Sequence, residues 1–208
     1  MSNHLYHAPM ACSLASRLAL VEAGVPHDIH FVLTWKGENK TAEYLAINPR
    51  GKVPALKTAQ GVLTESSAIL PYIADLVPDK RLIPLAGSFE RAVAQSRLSF
   101  FSSSVHAAFT PLIGAHALTE AAARDAALGQ LLTVLGEADA MLEGRDHVLD
   151  HFSVCDLYLF VFLLWRRAPA LAGLLRVFAN LDRLEQAILA RPGVAAIIGE
   201  EMKLRFAE

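Results

Sequence analysis

The hydrophobic pattern changes character near residue 80, and that change constrains the fold more than any other feature of the chain. Before it, short apolar runs alternate with turn signals; after it, every periodic segment reads as helix. Residues 4–7 form a short strand candidate ahead of a loop at Pro9. A helical pattern follows over 13–23, with Leu14, Leu18 and Val21 at helical spacing and Gly24 as a natural C-cap. Ile29, Phe31 and Leu33 alternate with His30 and Val32 in a period-two strand. A short helix at 41–47 ends in the turn Asn48-Pro49-Arg50-Gly51. Residues 53–57 and 62–63, joined by a Gln60-Gly61 turn, read as a β-hairpin, and Ser66 or Ser67 opens a helix reaching Asp75. The order β-α-β-α-β-β-α predicts an α/β part with a mixed sheet and helices on its faces.

Residues 76–88 (LVPDKRLIPLAGS) carry two prolines and a glycine and read as connecting chain. The expected organisation is an α/β domain over 1–80, a linker over 81–88 and an all-helical domain over 89–208. One helix is predicted over 89–108, and a second long one over 119–142 with Thr119 as its N-cap. A further helix starts at Phe152-Ser153-Val154-Cys155-Asp156-Leu157. There Ser153 and Asp156 have capping-box spacing, and Phe152 and Leu157 have that of a hydrophobic staple. Residues 157–165 (LYLFVFLLW) are apolar on all sides, which places this helix in the middle of the helical part. Residues 181–190 and a short helix at 194–200 complete it.

The chain of 208 residues is 53% hydrophobic, which raises the question of a membrane span. The longest strongly apolar stretch free of charge, 157–165, is closed by Asp156 and Arg166, whereas a span takes about 20 residues. No membrane partner is expected. Seven basic residues face seven acidic ones before residue 81, and twelve face fourteen after it, so no basic stripe is available for nucleic acid. The opening MSNHLYHAPM has no secretory character, and two cysteines make no disulfide framework. The expectation is a soluble, cytoplasmic protein with reduced thiols.

Cys12 is the most informative side chain. It lies between a strand–loop and a helix start, where the N-terminal partial charge favours thiolate over thiol. No Cys-x-x-Cys partner follows it, so a monothiol site there takes its second sulfur from outside, for example from glutathione. Cys155, inside the most apolar helix, reads as core filler. Val53-Pro54 is a candidate cis bond, and Pro54 has no N–H, which leaves the Val53 backbone free to pair with an extended peptide-like ligand. Glu65-Ser66 sits at a helix start. There a hydroxyl and backbone N–H groups receive a carboxylate, while Glu65 accepts from an ammonium. The pairs His4/His7, His27/His30 and His147/His151 have no converging cysteine or carboxylate pair, so no metal is expected. Phe100, Phe101 and Phe109 read mainly as core; part of that region, with Trp165, is a candidate wall for an apolar second substrate.

The combination of this topology with "NPRGKVPAL" and "TESSAILPYIAD" resembles the glutathione S-transferase family. "ACSLASRLAL", "VHAAFTPL", "HFSVCDLYLF" and "ARPGV" resemble its bacterial beta class in particular. The resemblance implies a thioredoxin-like domain followed by a helical bundle, paired as a homodimer, with glutathione as co-substrate and no metal. It implies that Cys12 lies against the glutathione sulfur and forms a mixed disulfide with it. Val53 pairs its backbone with the tripeptide ahead of a cis-Pro54, and Glu65 and Ser66 hold the γ-glutamyl end. Lys36 stands near the glycyl carboxylate, and His106 closes over the thiol. Ser103 and Ser104 reach a neighbouring subunit's glutathione, and Ser153 with Asp156 forms a folding element. Ser99 stands where relatives usually carry Asn. Ser104 and Ala107 replace charged neighbours of the histidine, His7 replaces an aromatic, and Arg17 a His. The implied activities are conjugation of glutathione to hydrophobic electrophiles, thiol–disulfide exchange or peroxide reduction. A glutathione-dependent isomerase, or a non-enzymatic ligand-binding or regulatory protein on the same fold, is the alternative.

Overall fold

Four short strands form one mixed sheet in the order β2-β1-β3-β4. The structure is a computed structural model describing residues 3–114 and 117–206. Strand β1 (Asn3–His7) runs parallel to β2 (His27–Phe31), with Leu5 opposite Ile29. A parallel pair needs a crossover, and helix α1 (Leu14–Ala23) supplies it, ending at Gly24 with φ 65° as the sequence predicts. β3 (Ala55–Thr58) pairs antiparallel to β1, and β4 (Gly61–Thr64) antiparallel to β3. Helix α2 (Ala42–Ile47), capped by the Thr41 hydroxyl, lies between β2 and β3, and α3 (Ser66–Asp75) follows β4. The hairpin turn falls on Ala59-Gln60, one residue earlier than expected, because Gly61 already belongs to β4. β2 stops at Phe31, short of Leu33, whose N–H is taken by the Glu38 carboxylate at 2.6 Å.

Among the described residues no strand follows Thr64. Helices α4 (Phe89–Phe100), α5 (His106–Phe109), α6 (Ala121–Ala140), α7 (Val154–Trp165), α8 (Ala179–Leu189) and α9 (Val194–Phe206) make up the remainder. α7 is the centre expected from its composition, with 11 of its 12 residues buried. Each large apolar side chain so removed from water contributes about 1.5–3 kcal/mol. Its start carries the expected capping box: Ser153 Oγ accepts from Cys155 N–H at 3.2 Å, and Asp156 Oδ2 accepts from Ser153 N–H at 2.8 Å. α1 packs against α3 and α7, so the sheet-side helices and the bundle share one core. No helix among the described residues is long and apolar enough to cross a membrane.

Three helix expectations need correction. The single helix over 89–108 is interrupted by a π turn, Phe101–Val105, in the run FSSSV. Serine hydroxyls compete for helix carbonyls, and Ser103 Oγ donates to Ser99 O at 2.9 Å there. The N-cap of α6 is Glu120 rather than Thr119, its carboxylate accepting from the N–H groups of Ala122 and Ala123. Helix α9 runs to Phe206 instead of ending at 200.

Candidate functional site

The turn between β1 and α1 carries Cys12. Ala11 N–H donates to Ala8 O and Leu14 N–H to Ala11 O, which folds residues 8–14 back on themselves. Met10 takes a left-handed φ of 59°. Cys12 is half-buried, and its thiol donates to Val53 O at 3.5 Å. In the free protein, against the thiolate expected from the helix start, burial pushes the Cys12 thiol up to about 11. The backbone N–H groups of Cys12 and Ser13 favour the thiolate, as the sequence suggests, but desolvation outweighs them.

Val53 lies in a loop held from below. Tyr44 Oη and Asn48 Nδ2 both donate to Lys52 O, at 2.6 and 2.7 Å, and Asn39 Nδ2 donates to Gly51 O at 2.8 Å. A Cβ on Gly51, at φ 59°, meets Asn39 O at 2.8 Å, so only glycine fits. The Val53–Pro54 bond is cis. Glu65 precedes α3 with φ 70°, an uncommon conformation for a non-glycine residue. Its exposed carboxylate pairs with Arg50 at 2.8 Å, while Ser66 is buried at the first turn of the helix.

His106, at the start of α5, packs edge-on to Trp165 with ring centres 5.1 Å apart and tilts against Phe162 at 5.6 Å. Burial holds its pKa below the ordinary imidazole value; the Lys52 charge acts the same way, and Glu65 opposes. Lys52 and Glu65 are also the two charges that act on Cys12. The thiol from the α/β part and the imidazole from the helical part therefore feel one electrostatic environment. Trp165 Nε1 donates to Met10 O at 2.8 Å, a bond joining the cysteine turn to α7.

The remaining residues are spread more widely. Lys36 ends an exposed 3-10 turn, Thr34–Lys36, and its ammonium has no hydrogen bond or ion pair among the described residues. Ser99 and Ser103 are exposed on the outer side of the α4–π segment, and Ser104 is half-buried. Arg17 is engaged by Glu200 and, at 3.0 Å, by Glu201.

Residues 9–76 match the family model described as the glutathione S-transferase N-terminal domain. The chain is 33% identical over 202 residues to the glutathione S-transferase GstA of Escherichia coli O157:H7, covering 95% of this chain and 98% of that one. The chain belongs to the glutathione S-transferase family. Among solved structures, the bacterial beta class enzyme of Sphingomonas chungbukensis is 39% identical with a TM-score of 0.83. A sphingomonad glutathione S-transferase complexed with glutathione is 38% identical with a TM-score of 0.84, and each match covers 95% of this chain and 98% of the other. A thioredoxin-like α/β part followed by helices, implied by the sequence resemblance, is the fold observed, and the protein is an enzyme of the glutathione S-transferase kind.

In this transferase, sequence reasoning missed two polar groups at the site. Lys52 immediately precedes Val53 and acts on both Cys12 and His106. The Tyr158 hydroxyl, the polar tip in the first two turns of the apolar α7, lies beside the Ser66 and Ser102 hydroxyls where α3 meets the π turn. A hydroxyl inside LYLFVFLLW was the available signal, since a buried Tyr usually finds a partner for its O–H.

Proposed function

We propose that this transferase binds glutathione along the Val53–Pro54 backbone, with Glu65 and Ser66 at its γ-glutamyl end and its sulfur between Cys12 and His106. Lys36 serves the glycyl carboxylate, and Ser99, Ser103 and Ser104 complete the wall, the last two in a homodimer reaching the partner's glutathione. The division of labour is a glutathione-binding domain over 1–80 and a helical domain over 89–208, where Trp165 borders a hydrophobic electrophile. Detoxification in the cytoplasm fits that chemistry. The observation that supports the reading most is the Cys12 thiol facing Val53 O at 3.5 Å, under the same two charges that act on His106.

His106, held neutral by burial, accepts the proton of the glutathione thiol, and the Cys12 S–H donates to the thiolate formed. Each pK unit of thiolate stabilisation is worth about 1.4 kcal/mol. In disulfide exchange, Cys12 Sγ attacks one sulfur of oxidised glutathione. One glutathione thiolate leaves, takes up the proton Cys12 loses, and a mixed disulfide remains. The isomerase alternative asks for a free arginine near the site, and Arg17 is already bound by Glu200 and Glu201.

Retention on immobilised glutathione, with intact-mass analysis after exposure to oxidised glutathione, tests the proposal. The wild type gains one glutathione-sized adduct that Cys12→Ala lacks. Loss of retention at millimolar glutathione refutes it.

A further inference from the structure

Two of the positions where this chain departs from the family pattern, His7 and Arg17, meet on one buried carboxylate in the last helix. Glu201 of α9 is fully buried. Its Oε1 accepts from His7 Nε2 at 2.5 Å and from Arg17 Nη1 at 3.0 Å, and its Oε2 accepts from Met10 N–H at 2.7 Å. Ser13 Oγ lies 2.7 Å from His7 Nδ1 and accepts from Ala8 N–H at 3.1 Å, closing the ring of contacts around the turn. The groups that converge on Glu201 are thus the end of β1, the first turn of α1 and the backbone between them. That backbone carries Cys12.

We propose that Glu201 is a positioning residue for the thiol site, reaching 191 positions back along the chain to seat the Met10–Ser13 turn. Met10 is the pivot. Its N–H is held by Glu201, its φ of 59° is one that a methionine adopts only when its surroundings impose it, and its carbonyl holds Trp165 Nε1 at 2.8 Å. Trp165 in turn packs edge-on to His106. One carboxylate therefore governs Cys12 through the turn and His106 through the indole. His7 and Arg17 keep it ionised and oriented; neither touches the thiol site itself. The proposal rests on the reading that Cys12 and His106 form that site, but its test does not need glutathione.

The experiment compares the rate of Cys12 alkylation by iodoacetamide across a pH series, read by peptide mass, in the full-length wild type, Glu201→Gln, Trp165→Phe and Asp75→Asn. Gln places an amide N–H among three donors, so the turn releases Cys12 from its burial. Misplacement by a fraction of an ångström to an ångström changes site chemistry by orders of magnitude. Glu201→Gln is expected to alkylate roughly tenfold faster or more near neutral pH, with its pH profile moved to lower pH. Trp165→Phe, which keeps the ring and removes the donor to Met10 O, moves the same way to a smaller degree. It carries the test if Glu201→Gln does not fold. Asp75→Asn weakens the pairing to the buried Arg91, which makes no hydrogen bond to the turn, and is the control for general destabilisation; it is expected to alkylate like the wild type. Wild-type profiles in both Glu201→Gln and Trp165→Phe, or an equal shift in Asp75→Asn, overturn the proposal. If alkylation shifts while Cys12→Ala still binds and turns over glutathione normally, Glu201 positions Cys12 as proposed and the glutathione reading of Cys12 fails instead.

Discussion

Cys12 shows how one residue's place can be legible while its state is not. The strand–loop–helix context put a cysteine at a helix start, and the N–H groups that favour a thiolate are there. What the local pattern could not carry is burial, which comes from chain far away in sequence and outweighs them. The consequence is measurable: a thiolate absorbance titration of the free protein, with Cys12→Ala subtracted, gives a midpoint near 11. A midpoint near or below neutral pH defeats the desolvation argument, and with it the role of Cys12 as an S–H donor. His106 permits a second test at the same scale. Its ring packs on Trp165 and Phe162, so His106→Phe keeps an aromatic contact while removing the proton acceptor. Conjugation kcat falls about 100-fold, with the glutathione KM and the unfolding midpoint little changed. A loss confined to KM assigns His106 to binding alone.

At the scale of elements, the start of α7 is the part of the fold most open to a stability measurement. Asp156 is fully buried and takes three donors: Val148 N–H, Ser153 N–H and the Ser153 hydroxyl, at 2.8, 2.8 and 2.9 Å. Ser153→Ala loses a cap and about 1 kcal/mol. Asp156→Ala strands two buried N–H groups and costs about 3 kcal/mol. Urea unfolding at fixed protein concentration distinguishes them, with the midpoint falling more for Asp156→Ala at unchanged slope; equal shifts reduce the box to a single hydrogen bond. The capping box was legible because it spans only residues i to i+3; the third donor, Val148 N–H eight positions back, was not. The succession of strands and helices along the α/β part, and α1 with its Gly24 cap, were legible for the same reason, since alternation, period and a terminal glycine are local signals; the spatial order of the strands was not among them. The π turn at Phe101–Val105 was not: FSSSV satisfies a helical hydrophobic period as well as the α4 residues before it do, and only the backbone shows the extra residue. Nor was Thr119 separable from Glu120 by pattern, because a carboxylate one position nearer the helix reaches the same N–H groups.

Over the whole molecule, the contact that most ties the chain's end to its beginning lay beyond any local reading, because His7 and Glu201 are 194 positions apart. Nothing in the sequence linked His7 and Arg17 beyond their being departures from the family pattern, and α9 was expected to end before residue 201. The carboxylate they share has a pH signature for the folded state as a whole. Burial raises the pKa of Glu201, but His7, the Met10 N–H and Arg17 together outweigh it and hold the group below its ordinary value of 4.5. A carboxyl depressed in the folded state adds stability that is fully present above the unfolded value. That stability drains away as pH falls through the folded value. Glu201→Gln has no such proton to take up. At neutral pH the variant is expected to be less stable than the wild type by about 3 kcal/mol, the scale for breaking a buried ion pair. As pH is lowered below 4.5 the wild type loses its advantage and the two unfolding free energies converge. Denaturant unfolding of both proteins at matched concentration, repeated down the pH series, reads this directly. A difference that stays constant to the acid limit means that Glu201 carries no ionised-state stabilisation, and the link between α9 and the cysteine turn is then one of packing alone.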